Sequence, residues 1–185
     1  NDYLHKMIGY FITKETSEAV ALILTGEGSN GKSLLTNCLS AVLGSKNCAK
    51  VPSLIFDANL KSNANSASPQ EAELFNACIA NINETNDDLR LDSKFKDLVD
   101  SGGVEKARHL HGDLFEFEKT AKFLVTTNNI PKFPADKAFA RRIKIAPFNQ
   151  TYSRPDEMKP GDKPINLKLQ AELLENKAEI LNWLI

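Results

Sequence analysis

The sequence has no apolar stretch approaching the ~20 residues that a helix needs to cross a bilayer. No secretory leader is expected either, because the opening Asn1-Asp2-Tyr3-Leu4-His5-Lys6 shows no basic-then-apolar pattern. A chain kept off membranes in the cytoplasm is the expectation, and the start without Met reads as a piece of something longer. Cysteine is scarce: Cys38, Cys48 and Cys78 are scattered, and none sits in a Cys-x-x-Cys pair. Neither a zinc site nor a disulfide framework is indicated, and free thiols in a reducing compartment are expected. An excess of positive charge is missing too. Lys and Arg number 23 against 24 Asp and Glu, for a net charge of -1. A nucleic-acid surface therefore cannot be read from totals; it must be local, or shared between subunits. No internal repeat is present. What remains is ordinary: 185 residues, 42% hydrophobic and 25% charged, enough for one globular domain with a real core.

The apolar pattern divides the chain into 1–19, 20–148 and 149–185. Residues 2–19 read as a helical lead-in. Val20-Ala21-Leu22-Ile23-Leu24-Thr25 is a continuous apolar run ending at a glycine-rich turn, the pattern of a buried parallel strand. Ser33 to Leu43 has helical spacing and stops at Gly44. Residues 58–69 are polar and turn-rich, the composition of a mobile loop. Residues 70–76 read as helix, Cys78-Ile79-Ala80-Asn81-Ile82 as a strand, and Ser93 to Asp100 as a helix ending at Gly102-Gly103. Two extended segments flank His111-Gly112-Asp113 as a hairpin. Phe123-Leu124-Val125-Thr126-Thr127 and Ile143-Lys144-Ile145-Ala146 are further strands. Residues 149–165 read as irregular and 166–184 as one amphipathic helix. Alternating strands and helices predict an α/β fold, with a mostly parallel central sheet flanked by helices and an inserted β-hairpin.

Gly26-Glu27-Gly28-Ser29-Asn30-Gly31-Lys32-Ser33 matches Gly-x-x-x-x-Gly-Lys-Ser without deviation. Glycines let backbone N–H groups turn inward around phosphate oxygens, where a side chain would clash. The helix that follows aims its N-terminus at the anion. In this pattern Lys32 reaches the β- and γ-phosphates and the Ser33 hydroxyl ligates Mg²⁺. The preceding apolar strand and following helix are the context the pattern requires, so a nucleoside triphosphate, ATP with Mg²⁺, is expected here.

A phosphate loop alone does not hydrolyse ATP; a carboxylate on a neighbouring strand must polarise water or hold the metal. Glu84, just after the Cys78–Asn83 run, is the first candidate for catalysis and for Mg²⁺, with Asp87 and Asp88 as runners-up. Asn83, where a metal-binding acid would be expected, offers only a neutral oxygen. Asn128 closes the Phe123–Thr127 strand, and its amide can orient the attacking water between the γ-phosphate and the carboxylate.

These blocks, in this order, resemble the superfamily 3 helicases, particularly the helicase domain of the phage/plasmid primase-helicase family. The resemblance runs from Gly26 to Phe148, about two-thirds of the chain. It is carried by the Gly26–Ser33 loop, Ile82-Asn83-Glu84, Lys96 through Gly102-Gly103, Thr127-Asn128-Asn129-Ile130-Pro131, and Phe139-Ala140-Arg141-Arg142-Ile143-Lys144-Ile145-Ala146-Pro147-Phe148. It implies a P-loop NTPase core of AAA+ type, assembly into a ring (usually a homo-hexamer), and ATP-driven movement along single-stranded DNA during replication of a phage, plasmid or mobile element in a bacterial host. Asn128 would be the sensor, and Arg141 or Arg142 the arginine finger that reaches the neighbouring subunit's γ-phosphate. A primase module or other replication partners would accompany it.

The resemblance also implies a hairpin that projects into the ring pore and grips DNA. Here it spans roughly Val104 to Phe117, with Lys106, Arg108, His109 and His111 near the tip. Six copies would build a positive funnel from a neutral subunit. Two departures stand out: Asn83 in the acidic motif, and Val104 where the family often has Asp after Gly-Gly. The competing readings are a nucleotide-switched loader or remodelling ATPase without unwinding, and a small P-loop kinase with Arg141 and Arg142 in a lid.

Overall fold

A computed structural model describes residues 2–56, 69–83, 89–100, 102–108 and 112–185. A parallel five-stranded sheet forms the centre. Its strands are β1 (Ala21–Thr25), β2 (Cys48–Lys50), β3 (Ile79–Asn83), β6 (Lys122–Thr127) and β7 (Ile143–Pro147), in the order β2-β3-β6-β1-β7. Leu22 pairs with Leu124 and Ala21 with Ile143, so β1 lies between β6 and β7. Being covered on both faces explains why β1 and β6 are buried without alternation.

The two-residue period of the strands sorts their side chains into two cores. Leu22, Leu24, Ile79 and Leu124 face Ile8 and Phe11 of α1 (Asp2–Ile12), Leu39 of α2 (Lys32–Leu43) and Leu184 near the C-terminus. Ile23, Ala80, Ile82, Phe123 and Val125 face the opposite side. There Phe56, in the 3-10 turn Ser53–Phe56, meets Phe95 of α4 (Ser93–Val99) and Phe123 edge-on at ring distances of 5.2 and 5.3 Å. Phe139 of α5 (Lys137–Arg142) stacks on Phe95 at 6.2 Å. These rings join α4 and α5 beneath the sheet.

The lead-in helix is shorter than its sequence suggested, ending at Ile12. Residues 13–19 run irregularly to the sheet and are held by Lys122, whose buried ammonium donates to the carbonyls of Thr13 (2.6 Å), Glu15 (3.0 Å) and Thr120 (3.2 Å). The helix expected over 70–76 contracts to α3 (Pro69–Ala72). β2 was not anticipated; three residues are too few for a periodic signal. The hairpin forms as expected, with β4 (Val104–Arg108) antiparallel to β5 (Leu114–Glu118). Within 149–165, β8 (Tyr152–Ser153) and β9 (Lys163–Pro164) make a short parallel pair.

The single helix expected over 166–184 is two: α6 (Leu169–Glu175) and α7 (Lys177–Leu184). The break falls at Asn176, whose amide donates to the Glu172 carbonyl at 2.7 Å and competes with the helical ladder. Both pack on α2. The loop expected over 58–69 lies outside the described residues up to 68. Among the described residues, no helix is long and apolar enough to cross a membrane.

Candidate nucleotide site

The Gly26–Ser33 loop leaves the carboxyl end of β1 and enters α2, as in the strand–loop–helix arrangement its sequence predicts. Four residues take positive φ: Gly26 (145°), Gly28 (94°), Ser29 (44°) and Gly31 (90°). Gly31 is the N-cap of α2 and has no side chain to accept from the first helical N–H groups, which leaves these donors for an anion. A Cβ at Gly28 or Gly31 would meet no protein atom within 4 Å. That open space lies where a phosphate must approach the backbone, so the loop fits a polyphosphate.

Lys32 is buried, at 6% exposure, and its ammonium donates to the Asn30 side-chain oxygen (3.1 Å) and the Gly26 carbonyl. Among the described residues its partners are neutral, and burial pushes its pKa below the usual lysine range. A desolvated cation with only neutral acceptors favours an incoming anion. Ser33 is exposed in the first turn of α2, free of the core, where a hydroxyl can take a place on Mg²⁺.

Contacts missed in the sequence brace the loop. Asn30 donates to the Phe148 carbonyl (3.1 Å), Phe148 N–H to Thr25 O (2.8 Å), and Tyr152 N–H to Ser29 O (2.8 Å). The segment after β7 thus runs beside the phosphate loop. At Gly26 the fit is tight, since a Cβ would stand 2.4 Å from the Phe148 oxygen and 2.4 Å from Asn30 Nδ2. Gly26→Ala is expected to push Phe148 away, lower the melting temperature, and weaken ATP at least about tenfold, read by thermal melt and nucleotide titration.

Asn128 follows β6 at the same end of the sheet. Its carbonyl accepts the Gly26 N–H at 3.3 Å, and its side chain lies in an exposed residue. Asn83 closes β3 opposite Thr126, and the Thr126 hydroxyl donates to its side-chain oxygen at 2.7 Å. Its oxygen is already engaged on the sheet, so it is a poor substitute for a metal-binding acid. Glu84, Asp87 and Asp88 lie outside the described residues, as do His109 and His111.

The two arginines part company. Arg142 is buried at 3% and reaches back along α5 to the Ala138 carbonyl (Nη1, 2.7 Å) and across to Asp100 Oδ1 through Nε (2.9 Å) and Nη2. Its guanidinium makes three hydrogen bonds within its own subunit, whereas Arg141, the other arginine of the pair, is exposed. Asp100 was not foreseen, although a carboxylate closing a helix, against the helix dipole, is a signal that a cation stands nearby. Both arginines lie at the amino end of β7. With Ile143 level with Ala21 and Pro147 with Thr25, that is roughly 16 Å from the subunit's own phosphate loop, at ~3.3 Å per strand residue.

On the hairpin, Glu105, Ala107, Phe115 and Phe117 alternate with Lys106, Arg108, Leu114, Glu116 and Glu118. The first set turns to the body, where Phe115 and Phe117 pack around Phe75 at 5.4 and 5.8 Å. Lys106 pairs with Glu116 across the strands at 2.9 Å, and Arg108 Nε donates to the Gly112 carbonyl at 2.8 Å. On the described part of the hairpin, Lys106 thus stands beside an acid and Arg108 beside a backbone carbonyl.

A parallel sheet with this loop between β1 and α2 and a flanking hairpin has the architecture of a P-loop NTPase core. The chain belongs to the family of unknown function DUF5906, whose model matches residues 24–142. It is 25% identical over 157 residues to a protein of Acanthamoeba polyphaga mimivirus named "Putative helicase L207/L206", covering 84% of this chain and 16% of that protein. Its fold is similar to an A-form apo structure of the NrS-1 C-terminal region, with a TM-score of 0.71, 19% identity, and coverage of 99% of this chain and 41% of that one. A second apo structure of the same region, residues 305–718, gives a TM-score of 0.68 at 19% identity, over 99% of this chain and 41% of that one. The chain thus spans less than half the length of each of these relatives.

Proposed function

We propose that this chain is the ATPase domain of a ring-forming DNA helicase or translocase of the superfamily 3 type. One observation carries the reading: the phosphate loop and Asn128 meet at one end of the sheet, while the exposed Arg141 stands at the other. A subunit built this way holds the two halves of a hydrolytic site too far apart to use both on one nucleotide. Stacked side by side in a ring, the Arg141 end of one subunit meets the loop of the next.

In this reading the loop N–H groups and Lys32 bind the β- and γ-phosphates, and Lys32 exchanges its neutral acceptors for phosphate oxygen. Ser33 and Glu84 would hold Mg²⁺, which when bound would supply charge neutralisation on the phosphates. Glu84 takes a proton from water, Asn128 orients that water, and Arg141 of the neighbouring subunit stabilises charge on the transferring phosphoryl group. The mimivirus relative bears a helicase name, which supports unwinding over other uses of a P-loop.

The hairpin would contact single-stranded DNA through Lys106 and Arg108. The Lys106–Glu116 pair is exposed, and such a pair is worth at most about 1 kcal/mol, so a DNA phosphate can displace Glu116. A Lys106→Ala/Arg108→Ala double variant should bind single strands more weakly, with a log–log salt slope shallower by roughly 1.4, at ~0.7 per phosphate contact. An unchanged slope would count against the pore assignment. ATP-dependent strand displacement on a forked DNA substrate tests the whole reading. DNA-stimulated hydrolysis without displacement would indicate a loader or remodelling ATPase, and turnover only with a small phosphate acceptor would indicate a kinase.

A further inference from the structure

Consecutive residues of an α-helix point about 100° apart. When Arg142 turns into the core, Arg141 is therefore forced outward. α5 has only six residues and little rigidity of its own. Its direction is set by three anchors: the Asp136 carboxylate accepting from Phe139 N–H at 2.8 Å, the Phe139 ring on Phe95, and Arg142 on Asp100. The third lies immediately beside Arg141. Asp100 closes α4, where a carboxylate opposes the helix dipole, and its compensation is the Arg142 guanidinium, held by three hydrogen bonds. α4 is in turn pinned to the hairpin root: Lys119 Nζ donates to the Asp97 carbonyl at 2.8 Å, and Lys119 N–H to Gly103 O at 3.3 Å.

We infer that Arg142 and Asp100 are a positioning pair, which fixes the end of α5 so that Arg141 is presented to the neighbouring subunit's nucleotide. This rests on the reading of Arg141 as a finger acting in trans. Neither Arg142 nor Asp100 touches nucleotide; both act through Arg141. The pair therefore belongs to the subunit that supplies the finger, while its effect appears at the phosphate loop of the next one.

That separation supplies the test. Asp100→Ala should lower kcat for ATP at least tenfold, with KM unchanged within twofold. Lys32→Ala subunits lack a working loop but keep a correctly held finger. Mixing Asp100→Ala with Lys32→Ala subunits should give a rate several-fold above the sum of the two alone, because the intact loop of the first meets the intact finger of the second. The same mixture made with Arg141→Ala is the control. If only the control mixture gains activity, Asp100 acts on its own subunit's site and the inference is wrong while the trans finger stands. If neither mixture gains, the trans finger itself fails and the inference with it. Parent-level kcat in Asp100→Ala also overturns it. Asp100→Asn, which keeps the side-chain volume and one neutral acceptor, makes the same comparison if Asp100→Ala does not fold.

Discussion

Lys32→Ala is expected to lose about 100- to 1,000-fold in kcat/KM for ATP hydrolysis, the scale of removing one buried electrostatic stabiliser from a phosphoryl- or acyl-transfer site. It is also expected to keep its fold. Lys32 is a desolvated cation whose described partners are the neutral oxygens of Gly26 and Asn30, so removing it deletes a buried charge instead of stranding one. Hydrolysis and binding should therefore fall while the thermal melt stays within a few degrees of the parent. Parent-level hydrolysis in a folded Lys32→Ala protein would remove the nucleotide site from this loop.

Arg141→Ala should leave ATP affinity within about twofold and cut kcat by about a thousandfold or more, the range for loss of an arginine finger. Arg142→Ala should differ in kind. It strips the α4 terminus of its counter-ion and opens a gap beneath α5, so its melting temperature falls as well as its rate. Because the Asp100 side chain is itself 43% exposed, the loss should stay below the roughly 3–5 kcal/mol of a fully buried pair. Adjacent arginines, one altering only turnover and the other altering stability too, would separate the finger from its support. Equal stability losses in both variants would mean that Arg141 is not the exposed catalytic group proposed.

The features legible in the sequence are those written in local pattern. The Val20–Thr25 run, the Gly26–Ser33 loop and the stop at Gly44 announced β1, the loop and α2, because burial on both faces, phosphate geometry and helix termination each demand particular residue types in a row. Asn128 was legible as the residue that ends a buried strand. The features not legible depend on partners distant in sequence. Nothing near Arg142 shows that its guanidinium meets Asp100, 42 residues away, and with both arginines in one motif the sequence cannot assign the finger. The braces on the loop from Phe148 and Tyr152 are backbone groups, which every residue type carries. Asn176 breaks the C-terminal helix by a local side-chain bond that its amphipathic pattern hides. The Lys106–Glu116 pairing was hidden for a related reason: cross-strand register, not composition, sets Glu116 opposite Lys106.

A hydrolytic site divided between subunits makes ATP turnover depend on assembly, so turnover per subunit across protein concentration, with and without single-stranded DNA, decides whether the site is divided. A divided site gives a rate per subunit that climbs with concentration as subunits assemble, and climbs further when DNA is added. A rate per subunit that is the same at every concentration, with or without DNA, would place the whole active site within one chain and contradict it.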